Sequence, residues 1–190
     1  MGPEIVRQLL RVSDRMRRCV VAISAVGCVF CTAPAEADPP SFNSKDLAIL
    51  GQTLHFIDPP PGGTVRIAVV YNSAIAGSQE EAKGIVEEFP SDATVSGFSL
   101  KPFAVNLDQI ETAAFNAVIS TDGTGTAQLK QALNTHHAAC VTNHLEQVAA
   151  GFCQIYMTSQ PSVDIRLNQS ASDAADVHFA TAFRIMVRTL

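Results

Sequence analysis

The 190-residue sequence has no tryptophan and only two tyrosines, and charged residues make up 16% of it. It contains no Gly-x-Ser-x-Gly and no His-Glu-x-x-His, and its one Cys-x-x-Cys, Cys28-Val29-Phe30-Cys31, lies within the first 37 residues. The nucleophile turn of a hydrolase and the paired-histidine zinc helix are therefore absent in their usual sequence form, and residues 38–190 carry no redox dithiol spacing. Nor does it carry a Walker loop or a dinucleotide fingerprint. There is no internal repeat and no low-complexity tract. These absences point away from an enzyme and imply neither a cofactor nor a bound metal.

Apolar runs are short as well. The uncharged run from Cys19 to Ala35 is at the lower limit for a membrane span and is rich in Ala, Gly, Ser and Cys. Arg7, Arg11, Arg15, Arg17 and Arg18 precede it, and Ala35-Glu36-Ala37 follows as a small-x-small site. This order predicts a signal peptide over residues 1–37, cleaved before Asp38, and a periplasmic mature protein. A retained anchor and a lipid-modified Cys28 are the alternatives.

Cleavage would leave eight basic and fifteen acidic residues, a formal charge of −7. A chain this acidic has no footprint for nucleic acid and none for strong binding to an anionic lipid surface. Only Cys140 and Cys153 remain, an even pair in a compartment that permits disulfides. Such a bridge would be worth about 3 kcal/mol by the chain-entropy argument. Two buried thiols in neighbouring strands are the alternative.

What is present is an alternation of strand and helix patterns. Residues 38–190 read as a single α/β domain, a mixed and mainly parallel sheet flanked by helices, with a C-terminal antiparallel hairpin and a terminal helix. Asn43 or Ser44 caps a helix over Asp46 to Ile57, with Leu47, Leu50, Leu54 and Ile57 on one face, stopped by Pro59-Pro60-Pro61. Thr64 to Tyr71, within TVRIAVVYN, is nearly continuous in apolar character and predicts a strand covered on both faces. Ser78 to Glu81 reads as a capping box opening a helix to about Phe89. In that helix Glu80, Glu81, Glu87 and Glu88 are expected to form a solvated face.

Thr94 to Val105 predicts a strand near an edge, because it contains Pro102. A short helix follows to Ala114. Phe115 to Ser120 is a third strand, Thr126 to His136 a helix, Ala139 to Thr142 a fourth strand, and Leu145 to Ala150 a brief helix. Phe152 to Thr158 and Val163 to Asn168 predict the hairpin around Ser159-Gln160-Pro161-Ser162. A helix over Ser172 to Leu190 closes the chain.

Ligand pockets of parallel sheets lie at the carboxyl ends of strands. The candidate ligand-binding residues are therefore Asn72 and Ser73 after the first strand, and Asp122, Gly123, Thr124 and Gly125 after the third. The competing reading of the second loop is a plain turn that uses glycine for tight geometry and Thr126 as a cap. His136, His137 and His144 lie near Cys140, but their spacing is not that of a metal site.

The order of elements resembles the YfiR-like family of small periplasmic proteins over most of residues 38–190. The resemblance rests on LAILGQTLHFIDPP, TVRIAVVYN, FNAVIST, VDIRLN and FATAFRIMVRTL. The chain departs from the family at Ile57-Asp58-Pro59, where an aromatic residue is common, and in having one glycine, Gly151, before the hairpin. The resemblance implies a non-enzymatic regulator that binds an inner-membrane signalling protein such as a diguanylate cyclase, with disulfides tuning stability. A homodimer is left open. In parallel, VRIAVVYNSAIAGSQEEAKGI is similar to the strand and first helix of one lobe of type 1 periplasmic solute-binding proteins. That similarity implies a small ligand-binding module instead.

Overall fold

The structure, a computed structural model, describes residues 42–89, 94–95 and 97–190. The expected signal peptide over 1–37 and its cleavage site lie outside the described residues. Strands β1 (Thr64–Tyr71), β2 (Thr94–Val95), β3 (Phe98–Asn106), β4 (Ala117–Ser120), β5 (Ala139–Thr142), β6 (Ile155–Thr158), β7 (Asp164–Leu167) and β8 (Arg188–Thr189) form one sheet. Its order is β2-β3-β1-β4-β5-β6-β7-β8. The β3-β1-β4-β5-β6 portion is parallel throughout, β2 and β7 are antiparallel to β3 and β6, and β8 runs parallel to β7. The fold is thus α/β and mainly parallel, with a C-terminal antiparallel hairpin.

Helices α1 (Ser44–His55) and α2 (Ser78–Glu88) cover one face, and α3 (Ala127–His136) and α4 (Leu145–Ala149) pack on the other. Strand β1 explains its own sequence: Val65, Ile67 and Val69 join the first core, whereas Ala68 and Val70 join the second. A strand buried on both sides cannot alternate polar and apolar residues. Pro102 is accommodated because β2 pairs only with Phe98 and Ser99, so the rest of β3 lies at the sheet edge, where a missing amide donor is tolerated. The split between β2 and β3 turns on Gly97, which has φ +87°.

Helix α1 begins with a reciprocal cap. The Asn43 side chain accepts from the amides of Lys45 and Asp46, and the Asp46 carboxylate accepts from the Asn43 amide. The helix stops at His55, two residues short of the expected Ile57. Ile57 instead makes a β-bridge with Phe179, flanked by hydrogen bonds from Asp58 N to the His178 carbonyl and from Ala180 N to the Phe56 carbonyl.

The C-terminus departs most from expectation. In place of one helix over 172–190 there are α5 (Gln169–Ala174), α6 (Thr181–Met186) and the edge strand β8. The break follows from chemistry local to Ser172–Asp176. The Ser172 hydroxyl donates to the Val177 carbonyl, and Asp176 adopts φ +54°. The chain thereby turns Val177 and Phe179 into the core beside Phe183, which a straight helix could not do with all three.

Cys140 in β5 and Cys153 just before β6 form a disulfide with a Cα–Cα distance of 5.1 Å, and both residues are fully buried. The bridge joins two adjacent parallel strands across the connection that carries α4.

Candidate functional site

The parallel strands order as the first strand's neighbour, the first strand, then the rest in sequence, so the chain reverses direction across the sheet between β1 and β4. That switch point is where open α/β sheets hold ligands. The loops after β1 and β4 meet there, and all six candidate residues fall into one cluster.

The Asn72 side chain donates to the Gly123 carbonyl at 3.0 Å and accepts from the Ala74 amide at 3.0 Å. The Ser73 hydroxyl accepts from the Asn106 side chain at 3.2 Å. The Asp122 backbone is held from both ends, its carbonyl by the Ser78 hydroxyl at 3.1 Å and its amide by Glu81 Oε2 at 3.1 Å. Gly123 sits at φ +67°, a left-handed conformation that favours glycine. Thr124 is fully buried, with its hydroxyl bonded to Ser120 and to the Thr121 carbonyl. A Cβ on Gly125 would lie 2.7 Å from Gln147 Cγ, so glycine is required by the close approach of α4.

This cluster is stitched by its own groups. The buried Gln147 side chain accepts from the Ser120 hydroxyl and donates to the Thr121 carbonyl, and Thr121 Oγ1 donates to the Val70 carbonyl. The Asn72 side chain, the Thr124 hydroxyl and the Asp122 amide and carbonyl thus already have partners within the chain.

Sequence reasoning missed Ser78, Glu81, Gln147 and His144 as members. Ser78 and Glu81 read as a capping box, but α2 has Gly77 as its N-cap with no side-chain cap bond. Ser78 lies inside the first turn and reaches across to Thr121 and Asp122. Glu81 is correspondingly not part of the solvated face formed by Glu80, Glu87 and Glu88, since its side chain is only 14% exposed.

The three histidines near Cys140 diverge. His136 packs tilted against Phe115 with ring centroids 4.5 Å apart, His137 approaches the Ala175 carbonyl and Asp176, and His144 turns to Glu81. Among the described residues no group of three or more His, Cys, Asp or Glu side chains is arranged to hold a metal ion.

His144 Nε2 lies 3.5 Å from Glu81 Oε1, and Nδ1 lies 3.6 Å from Glu146 Oε1. Burial disfavours its charged form. The hydrogen bond to Glu81 and the charges of Glu81, Glu146 and Asp122 together outweigh burial and raise its pKa above the usual histidine value.

An open concavity lies elsewhere among the described residues. A groove of about 410 Å³ lies between α1, the hairpin and α6, lined by Ile49 and Phe56, Val163 and Ile165, and Phe183 and Met186, among others. Five large hydrophobic side chains are exposed among the described residues, and four belong to the hairpin turn or to the last six residues: Val163 (51%), Ile185 (79%), Met186 (65%) and Leu190 (50%). The fifth, Ile75, is in the loop after β1.

No protein-family model and no curated protein matches the sequence. Among solved structures, the chain is similar to an ABC domain from Streptococcus pneumonia in complex with L-Trp, with a TM-score of 0.56 and 11% identity. The match covers 76% of this chain and 62% of that one, so the chain spans less than two thirds of the length of the structure it resembles. At this identity the likeness is one of fold.

Proposed function

We propose that the protein is a non-enzymatic periplasmic regulator that binds a membrane-anchored signalling protein, such as a diguanylate cyclase, through the face formed by α1, the hairpin and α6. The observation that carries this reading is the concentration of exposed apolar side chains beside an unfilled groove. Val163 and Met186 line that groove, and burial of apolar surface there would supply the driving force for association. Export and compartment come from the signal-peptide pattern of residues 1–37, and the cyclase class from the resemblance to the YfiR-like family.

The test is crosslinking and co-purification from membranes with the native chain and an Ile185→Glu, Met186→Glu variant. The expected result is recovery of an inner-membrane protein bearing a cyclase domain with the native chain and its loss with the variant, at unchanged melting temperature. Recovery of no inner-membrane signalling protein by the native chain overturns the reading.

A second reading is favoured by the strand order around the switch point and by the likeness to an L-Trp-bound ABC domain. In it, the protein is a small ligand-binding module related to one lobe of type 1 solute-binding proteins, with Asn72, Ser73 and Asp122 to Gly125 at the contact face. A ligand at one hundred times its Kd would stabilise the fold by about 2.7 kcal/mol. Melting curves across L-Trp, other amino acids and small anions decide it: no shift with any of them removes this reading.

A further inference from the structure

We propose that Glu81 and His144 form a proton-operated latch at the carboxyl edge of the sheet, closed when the imidazole carries two protons and loosened when it gives one to solvent. The latch ties α2 to the β5–α4 connection, and through Glu81 to the loop after β4. It does not depend on the partner reading or on the ligand reading above.

The argument begins with donors and acceptors. Both ring nitrogens of His144 face carboxylates, Nε2 toward Glu81 and Nδ1 toward Glu146. An ionised carboxylate only accepts, and a neutral imidazole has a single N–H. The neutral ring therefore leaves one lone pair directed at a carboxylate, whereas the doubly protonated ring serves both. The groups facing His144 are Glu81 from α2, Glu146 from α4 and Asp122 from the loop after β4, all acidic.

Exposure makes the pair sensitive. The side chains of His144 and Glu81 are 12% and 14% exposed, so solvent screens their interaction little, while Glu146 at 72% contributes less. Glu81 is also the acceptor for the Asp122 amide. A change at His144 is therefore felt at the switch-point loop through one side chain.

The sign follows from linkage. His144 gains proton affinity in the closed state, so the stabilisation is complete below the ordinary histidine value of about 6.5 and is lost as pH rises through the folded-state pKa. Each unit between the closed and open values changes the opening constant about tenfold between the two protonation limits. On opening, one proton leaves the ring to solvent.

The experiment is an NMR titration of the native chain, His144→Gln, Glu81→Gln and Glu146→Gln, following the His144 ring and the amides of Asp122, His144 and Leu145. In the native chain the ring is expected to titrate above 6.5 with the loop amides following the same midpoint. Glu81→Gln should lower that midpoint strongly, Glu146→Gln slightly, and His144→Gln should abolish the loop transition. A ring midpoint at or below 6.5, loop amides that do not follow it, or an unchanged loop transition in His144→Gln would each overturn the latch. If His144→Gln fails to fold, Glu81→Gln still decides: loop amides that keep the native midpoint while the ring's midpoint falls overturn the latch.

Discussion

Gly125 shows how tightly the switch-point loops are built. A methyl group there meets Gln147 Cγ at 2.7 Å and Cδ at 3.0 Å, and Gln147 is buried with both ends of its amide bonded. Gly125→Ala is expected to cost about 2 kcal/mol, since displacing the amide strands buried polar groups. Gly62→Ala, where a Cβ meets nothing within 4 Å, should lie within about 0.5 kcal/mol of the native chain. Urea unfolding of both variants checks the pair. The loop glycines were legible because turn chemistry is local. Glu81 was not, because a Ser-x-x-Glu spacing fits a cap equally well, and its real partners, Asp122 and His144, lie 41 and 63 residues away.

At the level of elements, what could be read from periodicity was read well, and what depends on competition for core space was not. Strands β1 and β5 fall at their expected bounds because an apolar run between turn signals leaves few alternatives. The segment 172–190 carries enough apolar residues at helical spacing to suggest one helix. Only in the folded chain do Val177, Phe179 and Phe183 compete for the space beside Phe56. Phe183 is the only buried residue of α6, packed 5.5 Å from Phe56 and 5.1 Å from Phe179 between ring centres. Phe183→Ala should cost about 3 kcal/mol and raise amide exchange in α6 and β8 ahead of the rest of the sheet. The disulfide acts on a different part of the chain: reducing it, or replacing Cys140 and Cys153 by alanine, is expected to lower stability by about 3 kcal/mol, read from the denaturation midpoint with and without thiol.

For the molecule as a whole, the exposed apolar face and the buried core are separable. Glutamate at Ile185 or Met186 should leave global stability within about 0.5 kcal/mol, because neither side chain is enclosed, and any loss of association then reports the surface alone. Stability should also decline from about pH 6.5 upward as His144 discharges, and this slope should vanish in His144→Gln when urea midpoints at several pH values are compared. The bridge between Ile57 and Phe179 and the hydrogen bond from Asn43 to Ser159 fasten both ends of α1 to the last third of the chain. A polypeptide emerging amino end first cannot complete either attachment until more than a hundred further residues have followed. During synthesis α1 therefore waits with Leu47, Leu50 and Leu54 uncovered, a window in which a holdase or a protease would meet this helix before its own fold does.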